Sequence, residues 1–271
     1  MRIHKKRDIT NSRFSSINSG GVCDRVDVSG TITYISLFIM VQLTSLAILL
    51  GLAGATVAAP TGGATITVNN HCGHNIQVNQ MTNGASSGHA INLAAGATHK
   101  FTVPSNWGGR FWGREECSGS GPDCNPSAPA SLAEFLLNGY SDKDFYDVSL
   151  VDGFNLPMDI KPSGSSDGSG NSAEKYACGI PACTTLPSCP EDLQVKGDNG
   201  KVIGCKSACS AFGTDEFCCQ GAHNSPETCQ PNEYSSVVKA VCPDAYSFAY
   251  DDASSTFSCS SSGYTVTFCP A

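Results

Sequence analysis

Cysteine is the residue that most constrains how this chain can fold. The sequence contains 15 cysteines among many glycines and serines. Such a density predicts a disulfide framework formed in an oxidising compartment. Cys23 lies before a hydrophobic segment and the other fourteen lie after residue 59. Because fourteen is an even number, all of these cysteines can pair within one chain.

The hydrophobic segment at residues 35–59 is almost free of charge and ends in small residues before a proline. This ending is typical of a cleaved signal peptide. A membrane anchor is the alternative, since about 20 apolar residues span a bilayer, but the Gly, Ala, Thr and Ser content favours cleavage. We expect residues 1–59 to be an N-terminal extension plus signal peptide, and the secreted chain to begin between residues 59 and 61. Met40 is an alternative start.

The net charge of the chain limits the classes of molecule that it is expected to bind. From residue 60 onward there are ten Lys plus Arg against twenty-one Asp plus Glu, a net charge of −11. So acidic a surface argues against nucleic acid as a partner. We also expect no stable membrane insertion.

Three cysteine-containing clusters raise the question of zinc. They are HCGH at residues 71–74, CKSAC at residues 205–209 and the adjacent pair at residues 218–219. Paired CxxC motifs are absent from the sequence, and cysteines of a secreted protein can all be satisfied as disulfides. We therefore expect no metal and no other cofactor. No nucleophile–base pattern stands out either.

The pattern of polarity changes along the chain. Short alternating segments such as ATITVNN, HNIQVNQM and HKFTV are typical of antiparallel strands separated by turns. From residue 161 a Gly- and Ser-rich loop is followed by closely spaced cysteines and a helix at NEYSSVVKAVC. We predict a mainly β fold, with a β-sandwich formed by residues 60–160 and 242–271. The inserted residues 161–241 are predicted to form a disulfide-rich subdomain with one helix and loops.

The segment DFYDVSLVDGFNLPMDI, residues 144–160, carries four aspartates among apolar residues. If its first half is a strand, Asp147 lies on the face opposite to Val148. Gly153 then indicates a bend that returns Asp152 to solvent. Two carboxylates near one bend could perform acid and base chemistry. An ordinary solvated acidic edge is the alternative.

Several longer runs carry a family resemblance: GGRFWGREEC, ASLAEFLLN, DFYDVSLVDGFNLPM, FCC, CPDAYSFAYDD and YTVTFCPA. They resemble the thaumatin-like (osmotin, PR-5) family, over about residues 64–271. The resemblance implies an eleven-stranded β-sandwich, a disulfide-rich domain containing helices, a small third loop domain, and an acidic cleft between the first two. Family members commonly bind β-1,3-glucan, some hydrolyse it weakly, and many are antifungal or stress-related.

The family's cleft set consists of one arginine, one glutamate and three aspartates. By motif these residues are Arg110, Glu134, Asp147, Asp152 and Asp252, with Asp251 as the alternative to Asp252. Glu134 is the expected general acid, and Asp152 or Asp147 the base or nucleophile. Arg110 is expected to keep the carboxylates ionised and oriented. The aromatic candidates for stacking on sugar rings, each of which is more often a core residue, are Phe111, Trp112, Tyr140 and Tyr146.

The family's disulfide pairing fits this chain. It implies the seven bridges Cys72–Cys269, Cys117–Cys124, Cys178–Cys259, Cys183–Cys242, Cys189–Cys205, Cys209–Cys218 and Cys219–Cys229. Most members have sixteen cysteines, whereas here the segment before Glu134 is shorter and one bridge is missing. The cleft rim beside Glu134 is therefore expected to be more open.

Three functions remain open at this point. The first is a glycoside hydrolase that acts on β-1,3-glucan, and the second is a module that binds the same glucan without cleaving it. The third is a defence or stress protein that acts on a protein or cell-surface target. In each case we expect a monomer located in the extracellular space or the cell wall.

Overall fold

A computed structural model describes residues 62–115, 128–164 and 175–271. Three sequence-based expectations lie outside these residues. They are the extension and signal peptide at residues 1–59, the Cys117–Cys124 bridge, and most of the shortened segment before Glu134.

The alternating segments form strands, because side chains on one face of each strand enter a common core. In chain order, the strands are β1 (Ala64–Asn70), β2 (Ile76–Thr82), β3 (His89–Leu93), β4 (Thr98–Val103), β5 (Gly108–Glu115), β6 (Leu132–Leu136), β7 (Asp144–Ser149), β8 (Met158–Ser163), β9 (Ala182–Cys183), β10 (Gln194–Lys196), β11 (Val202–Cys205), β12 (Phe257–Cys259) and β13 (Gly263–Phe268). The helices are α1 (Ala208–Phe212), α2 (Asp215–Cys218) and α3 (Glu233–Val241).

Two sheets form a sandwich. One has the order β4-β1-β13-β8-β9 and the other the order β12-β7-β6-β5-β2-β3. In the first sheet, β1 and β13 pair in parallel, while the remaining ladders of both sheets are antiparallel. The mainly β class is confirmed, and the two sheets together contain the eleven strands that the resemblance implied. Strands β10 and β11 form a separate hairpin.

Aromatic side chains fill the space between the sheets. The ring of Phe101 on β4 lies 5.0 Å from that of Phe111 on β5, and Phe135 on β6 lies 5.3 Å from Tyr264 on β13. All four rings are almost fully buried. Since each large aromatic buries about 150–250 Å², these pairs hold one sheet against the other.

Six disulfides lie within the described residues, and each joins the partners that the family resemblance implied. They are Cys72–Cys269, Cys178–Cys259, Cys183–Cys242, Cys189–Cys205, Cys209–Cys218 and Cys219–Cys229. The sulfurs of CKSAC and of the adjacent pair at 218–219 are therefore all in bridges, which explains their close spacing without a metal.

The predicted helix is α3, and its start shows why it forms there. The Asn232 side chain accepts a hydrogen bond from the Ser235 backbone N–H (2.9 Å), and the Ser235 hydroxyl accepts one from the Asn232 N–H (2.9 Å). This capping box satisfies two N–H groups at the helix terminus. The structure adds α1 and α2, which are too short for a periodic pattern to reveal. Among the described residues, no helix is long and apolar enough to cross a bilayer.

The sequence placed the loop boundary at residue 161, but β8 continues through Ser163. Pro162 lies opposite Tyr264 in this strand. On its other side, β8 pairs with β9 only at Met158 and Asp159. Within the part of the chain that the structure describes, no strand faces Pro162 on that side, so the missing N–H costs no ladder hydrogen bond there.

Candidate functional site

Three of the predicted site residues lie side by side across the six-stranded sheet. Arg110 on β5 is directly opposite Glu134 on β6, which is directly opposite Asp147 on β7. Opposed residues of antiparallel strands project from the same face, with Cβ atoms about 4.5–5.5 Å apart. The register thus forms a cross-strand row of Arg110, Glu134 and Asp147.

The cross-strand row lies on the face of the sheet away from the sandwich core. Its chain neighbours Phe111, Phe135 and Val148 are all in the core. Because side chains alternate along a strand, the row points to the other side. Asp147 is nevertheless only 7% exposed, so other parts of the chain cover that end of the row.

Asp152 joins the row through the turn that follows β7. The Gly153 N–H donates to the Leu150 carbonyl (3.0 Å), and Gly153 has a φ of +99°. This turn brings the Asp152 carboxylate to 3.8 Å from the Arg110 guanidinium while leaving the side chain 48% exposed. The predicted bend is confirmed, and its effect is to place Asp152 beside Arg110.

Replacing Gly153 with alanine is expected to lower the free energy of unfolding by about 2–4 kcal/mol. A Cβ at this position would lie 2.3 Å from the Cys205 carbonyl oxygen and 2.5 Å from the Pro129 Cβ, in addition to the unfavourable φ. Denaturant unfolding would measure the change. Gly200→Ala is the matched control, because Gly200 has a φ of +75° with no atom within 4 Å of the added Cβ. It should cost only about 1 kcal/mol, and equal effects would contradict the argument from packing.

Arg110 is held by residues of two strands. Its guanidinium carbon lies 5.7 Å from the centre of the Trp112 ring, and one N–H makes a long 3.9 Å contact with the Met81 sulfur. A cation over an indole face is attracted by the ring quadrupole. The arginine is thereby fixed between Trp112 and the carboxylates.

The structure separates the two aspartates that the sequence left as alternatives. Asp251 is 8% exposed, accepts hydrogen bonds from the Ser247 N–H (3.1 Å) and hydroxyl (2.8 Å), and pairs with Lys239 (3.0 Å). Asp252 instead accepts a hydrogen bond from the Tyr246 hydroxyl (2.8 Å). Asp251 is therefore bonded to Ser247 and to Lys239 of α3, whereas Asp252 is bonded to Tyr246, a residue that contacts β7.

Tyr246 connects Asp252 to the sheet. Its N–H donates to the Val148 carbonyl (2.9 Å) and its carbonyl accepts from the Leu150 N–H (2.9 Å). These bonds pair Tyr246 with Ser149 in parallel. Paired residues project to the same face, so the Tyr246 side chain lies on the face of the cross-strand row. Tyr246 was not among the predicted site residues, because its role depends on pairing with a strand about 100 positions earlier.

The other two aspartates of the 144–160 segment do not join the row. Asp144 accepts hydrogen bonds from the Tyr264 hydroxyl (2.8 Å) and the Asn138 N–H (2.9 Å). Burial, reinforced by the hydrogen bond to Asp144, raises the pKa of Tyr264. Asp159 lies on β8 of the other sheet, where burial raises its pKa and hydrogen bonds to Thr267 oppose the shift. These two carboxylates form hydrogen bonds within the sandwich and are not part of the cross-strand row.

The four aromatic candidates divide into two kinds. Phe111 and Tyr146 are 0% and 1% exposed and belong to the core. The prediction that they stack on sugar rings is therefore wrong. Trp112 is half-buried beside Arg110, and Tyr140 is 72% exposed in the turn between β6 and β7. The exposed Leu136, which the sequence analysis missed, lies two residues along β6 from Glu134 and thus on the same face.

No group of three or more His, Cys, Asp and Glu side chains in the described ranges is arranged to hold a metal ion. The cross-strand row presents carboxylates beside a guanidinium, which suits proton transfer and hydrogen bonding to hydroxyl groups.

Comparison with known proteins identifies the family. The model of the thaumatin family matches residues 70–270. Pathogenesis-related thaumatin-like protein 3.5 of Cryptomeria japonica is 45% identical over 232 residues, which cover 77% of this chain and 91% of that protein. Pathogenesis-related protein 5 of Arabidopsis thaliana is 47% identical over 193 residues, 66% of this chain and 77% of that protein. A protein of Prunus avium named glucan endo-1,3-beta-glucosidase is 39% identical over 231 residues, 76% of this chain and 91% of that protein. This chain belongs to the thaumatin family.

Proposed function

We propose that this chain is a secreted defence protein that binds β-1,3-glucan at the cross-strand row and hydrolyses it slowly. The observation that carries the proposal is the alignment of Arg110, Glu134 and Asp147 across three strands, with Asp152 returned to Arg110. Two relatives bear pathogenesis-related names and one is named a glucan endo-1,3-beta-glucosidase. These names support the defence role and the choice of glucan.

The register of the carboxylates supports a hydrolytic step. Glu134 and Asp147 are directly opposite each other, with Cβ atoms about 4.5–5.5 Å apart, so their side chains can reach the separation of about 5–5.5 Å between carboxyl groups that retaining glycosidases use. Glu134 is proposed as the general acid that protonates the leaving oxygen, and Asp147 as the nucleophile. Asp152, which is half exposed beside Arg110, is proposed to bind sugar hydroxyls or to activate water.

Aromatic and apolar side chains beside the row suit the faces of sugar rings. Trp112 lies on one side of Arg110 along β5, and Leu136 lies beyond Glu134 on β6. Sugar rings present C–H groups that pack on such surfaces, while their hydroxyls bond to carboxylates and guanidinium. A short glucan segment can therefore be recognised by both parts of the site.

Secretion is supported by the disulfides. Six bridges in the described residues require an oxidising compartment. The hydrophobic segment at residues 35–59 supplies the signal that such a route needs.

Two assays on the oxidised wild-type protein test the proposal. Pull-down with insoluble β-1,3-glucan should capture the protein, while cellulose, a β-1,4-glucan, should not. Incubation with laminarin should release reducing sugar, and reduced, unfolded protein is the control. Capture without release would favour a non-catalytic binding module. Failure of both assays would refute the proposal and favour a protein or cell-surface target.

A further inference from the structure

The side chain of Lys239 on α3 is surrounded by oxygens from a single segment, residues 245–255, here called the 245–255 loop. Its ammonium donates to the Ala245 carbonyl (3.0 Å), the Ser255 hydroxyl (2.6 Å) and the Ser254 carbonyl (3.4 Å). It also pairs with the Asp251 carboxylate (3.0 Å). One lysine thus joins both ends of the loop to the helix.

Asp251 completes this arrangement from the loop side. Besides Lys239, its carboxylate accepts hydrogen bonds from the Ser247 N–H and hydroxyl and from the Ser254 hydroxyl (2.7 Å). A buried carboxylate that is both paired and multiply hydrogen-bonded is costly to disturb, since loss of its partner leaves an uncompensated charge. The loop is therefore closed upon itself and fastened to α3.

A groove runs between α3 and the 245–255 loop, but its polar lining is already satisfied. The hydroxyls of Ser235 and Ser236 donate to the Asn232 carbonyl. Those of Ser247 and Ser254 donate to Asp251. Because these lining hydroxyls bond within the protein, the groove is better explained as a joint between helix and loop than as a site for a ligand.

The same loop carries Asp252, the third aspartate of the cleft set that the family resemblance implies. Asp252 follows Asp251 directly, and its carboxylate is held by the Tyr246 hydroxyl, which also contacts the Thr256 hydroxyl. Tyr246 is in turn bonded to Val148 of β7 and to Leu150 just after it, between Asp147 and Asp152. The position of Asp252 relative to β7 thus depends on the loop that Lys239 and Asp251 hold closed.

We infer that Lys239 and Asp251 are positioning residues for Asp252. This inference rests on the proposed glucan site. It extends that site to α3, which carries no member of the cross-strand row. Misplacement of a group in a site by about 1 Å can reduce activity on the order of 10²-fold. The Lys239 ammonium can therefore affect the site although it lies on α3.

The test compares Lys239→Met with Lys206→Met, which removes the same ammonium from an exposed lysine. Hydrogen exchange of amides 247–256 in the full, oxidised chain should accelerate on the order of tenfold in Lys239→Met and stay unchanged in Lys206→Met. Affinity for insoluble β-1,3-glucan should fall in Lys239→Met to about the level of Asp252→Asn. Added to Asp252→Asn, Lys239→Met should cause no further loss of affinity, since the two changes act on one interaction.

Three results would overturn the inference. They are unchanged exchange in the 245–255 loop, an affinity that Lys239→Met leaves intact, and an affinity that Asp252→Asn leaves intact. If the wild-type protein binds no glucan, the proposed function fails by itself. A crystal structure of Lys239→Met then decides the positioning role, and retention of the Tyr246–Asp252 hydrogen bond would refute it. If Lys239→Met does not fold, the double variant Lys239→Met/Asp251→Asn, which removes both charges, takes the place of Lys239→Met in each measurement.

Discussion

Reduction of the disulfides is expected to unfold this protein at room temperature. A native disulfide typically contributes about 2–4 kcal/mol, and a folded domain has a net stability of only about 5–15 kcal/mol. Loss of several bridges at once therefore removes most or all of that stability. Circular dichroism before and after reduction, with heated oxidised protein as the reference, would measure the effect. A reduced protein that kept its near-ultraviolet signal would contradict this expectation.

The bridges should differ in how much each contributes to the free energy of unfolding, because they close loops of different length. Cys72–Cys269 joins residues 197 positions apart, whereas Cys209–Cys218 joins residues 9 positions apart. In the chain-entropy model these bridges contribute about 5 and about 2.5 kcal/mol. The other bridges shorten the longer loop but leave it far longer than its counterpart.

Paired alanine variants provide a matched comparison. Replacing Cys72 and Cys269 together should lower the midpoint of denaturant unfolding clearly more than replacing Cys209 and Cys218 together. Both changes remove two sulfurs and leave no unpaired thiol. Equal midpoints, or a larger effect of the shorter loop, would show that the chain-entropy account does not describe this fold.

Only part of the cross-strand row could be predicted from local sequence, and its other members came from the family resemblance. Alternation along β7 assigns Asp147 to the face opposite Val148, and Gly153 marks the turn that returns Asp152. The family motifs then identify Arg110 and Glu134 as partners. What the sequence could not provide is the register, which brings these residues directly opposite one another.

The roles of the remaining aspartates depend on distant residues and could not be predicted. Asp144 resembles Asp147 in its local sequence, yet it bonds to Tyr264, 120 positions away. Asp251 and Asp252 are adjacent and chemically identical. They differ only because Lys239 reaches one and Tyr246 reaches the other. Short patterns determine which face a side chain occupies, but tertiary contacts determine what it meets there.

The helices, too, could be predicted only in part from the sequence. α3 has a polar start, nine residues and a capping box, and the sequence indicated it. α1 and α2 have only five and four residues, which is at most about one and a half turns. Helices of this length have little stability of their own. The disulfides at Cys209, Cys218 and Cys219 hold them, so their existence follows from the bridges rather than from a periodic pattern.

Glu134→Gln is expected to reduce laminarin hydrolysis by on the order of 10²–10⁴-fold, the usual contribution of a general acid. Glutamine has nearly the same shape, so contacts of the row with sugar hydroxyls should largely persist, but the amide cannot protonate the leaving oxygen. Capture by insoluble β-1,3-glucan should therefore change little. Reducing-sugar release and pull-down of the same preparation would measure the two effects separately.

The matched control for this change is Glu191→Gln, which neutralises an exposed glutamate before β10 and should alter neither measurement. Loss of both hydrolysis and capture in Glu134→Gln would assign Glu134 to ligand binding rather than to proton transfer. Hydrolysis that survived Glu134→Gln would contradict the proposed acid. The Glu134–Asp147 pair would then be a binding surface, and Asp152 beside Arg110 would be the next acid to test.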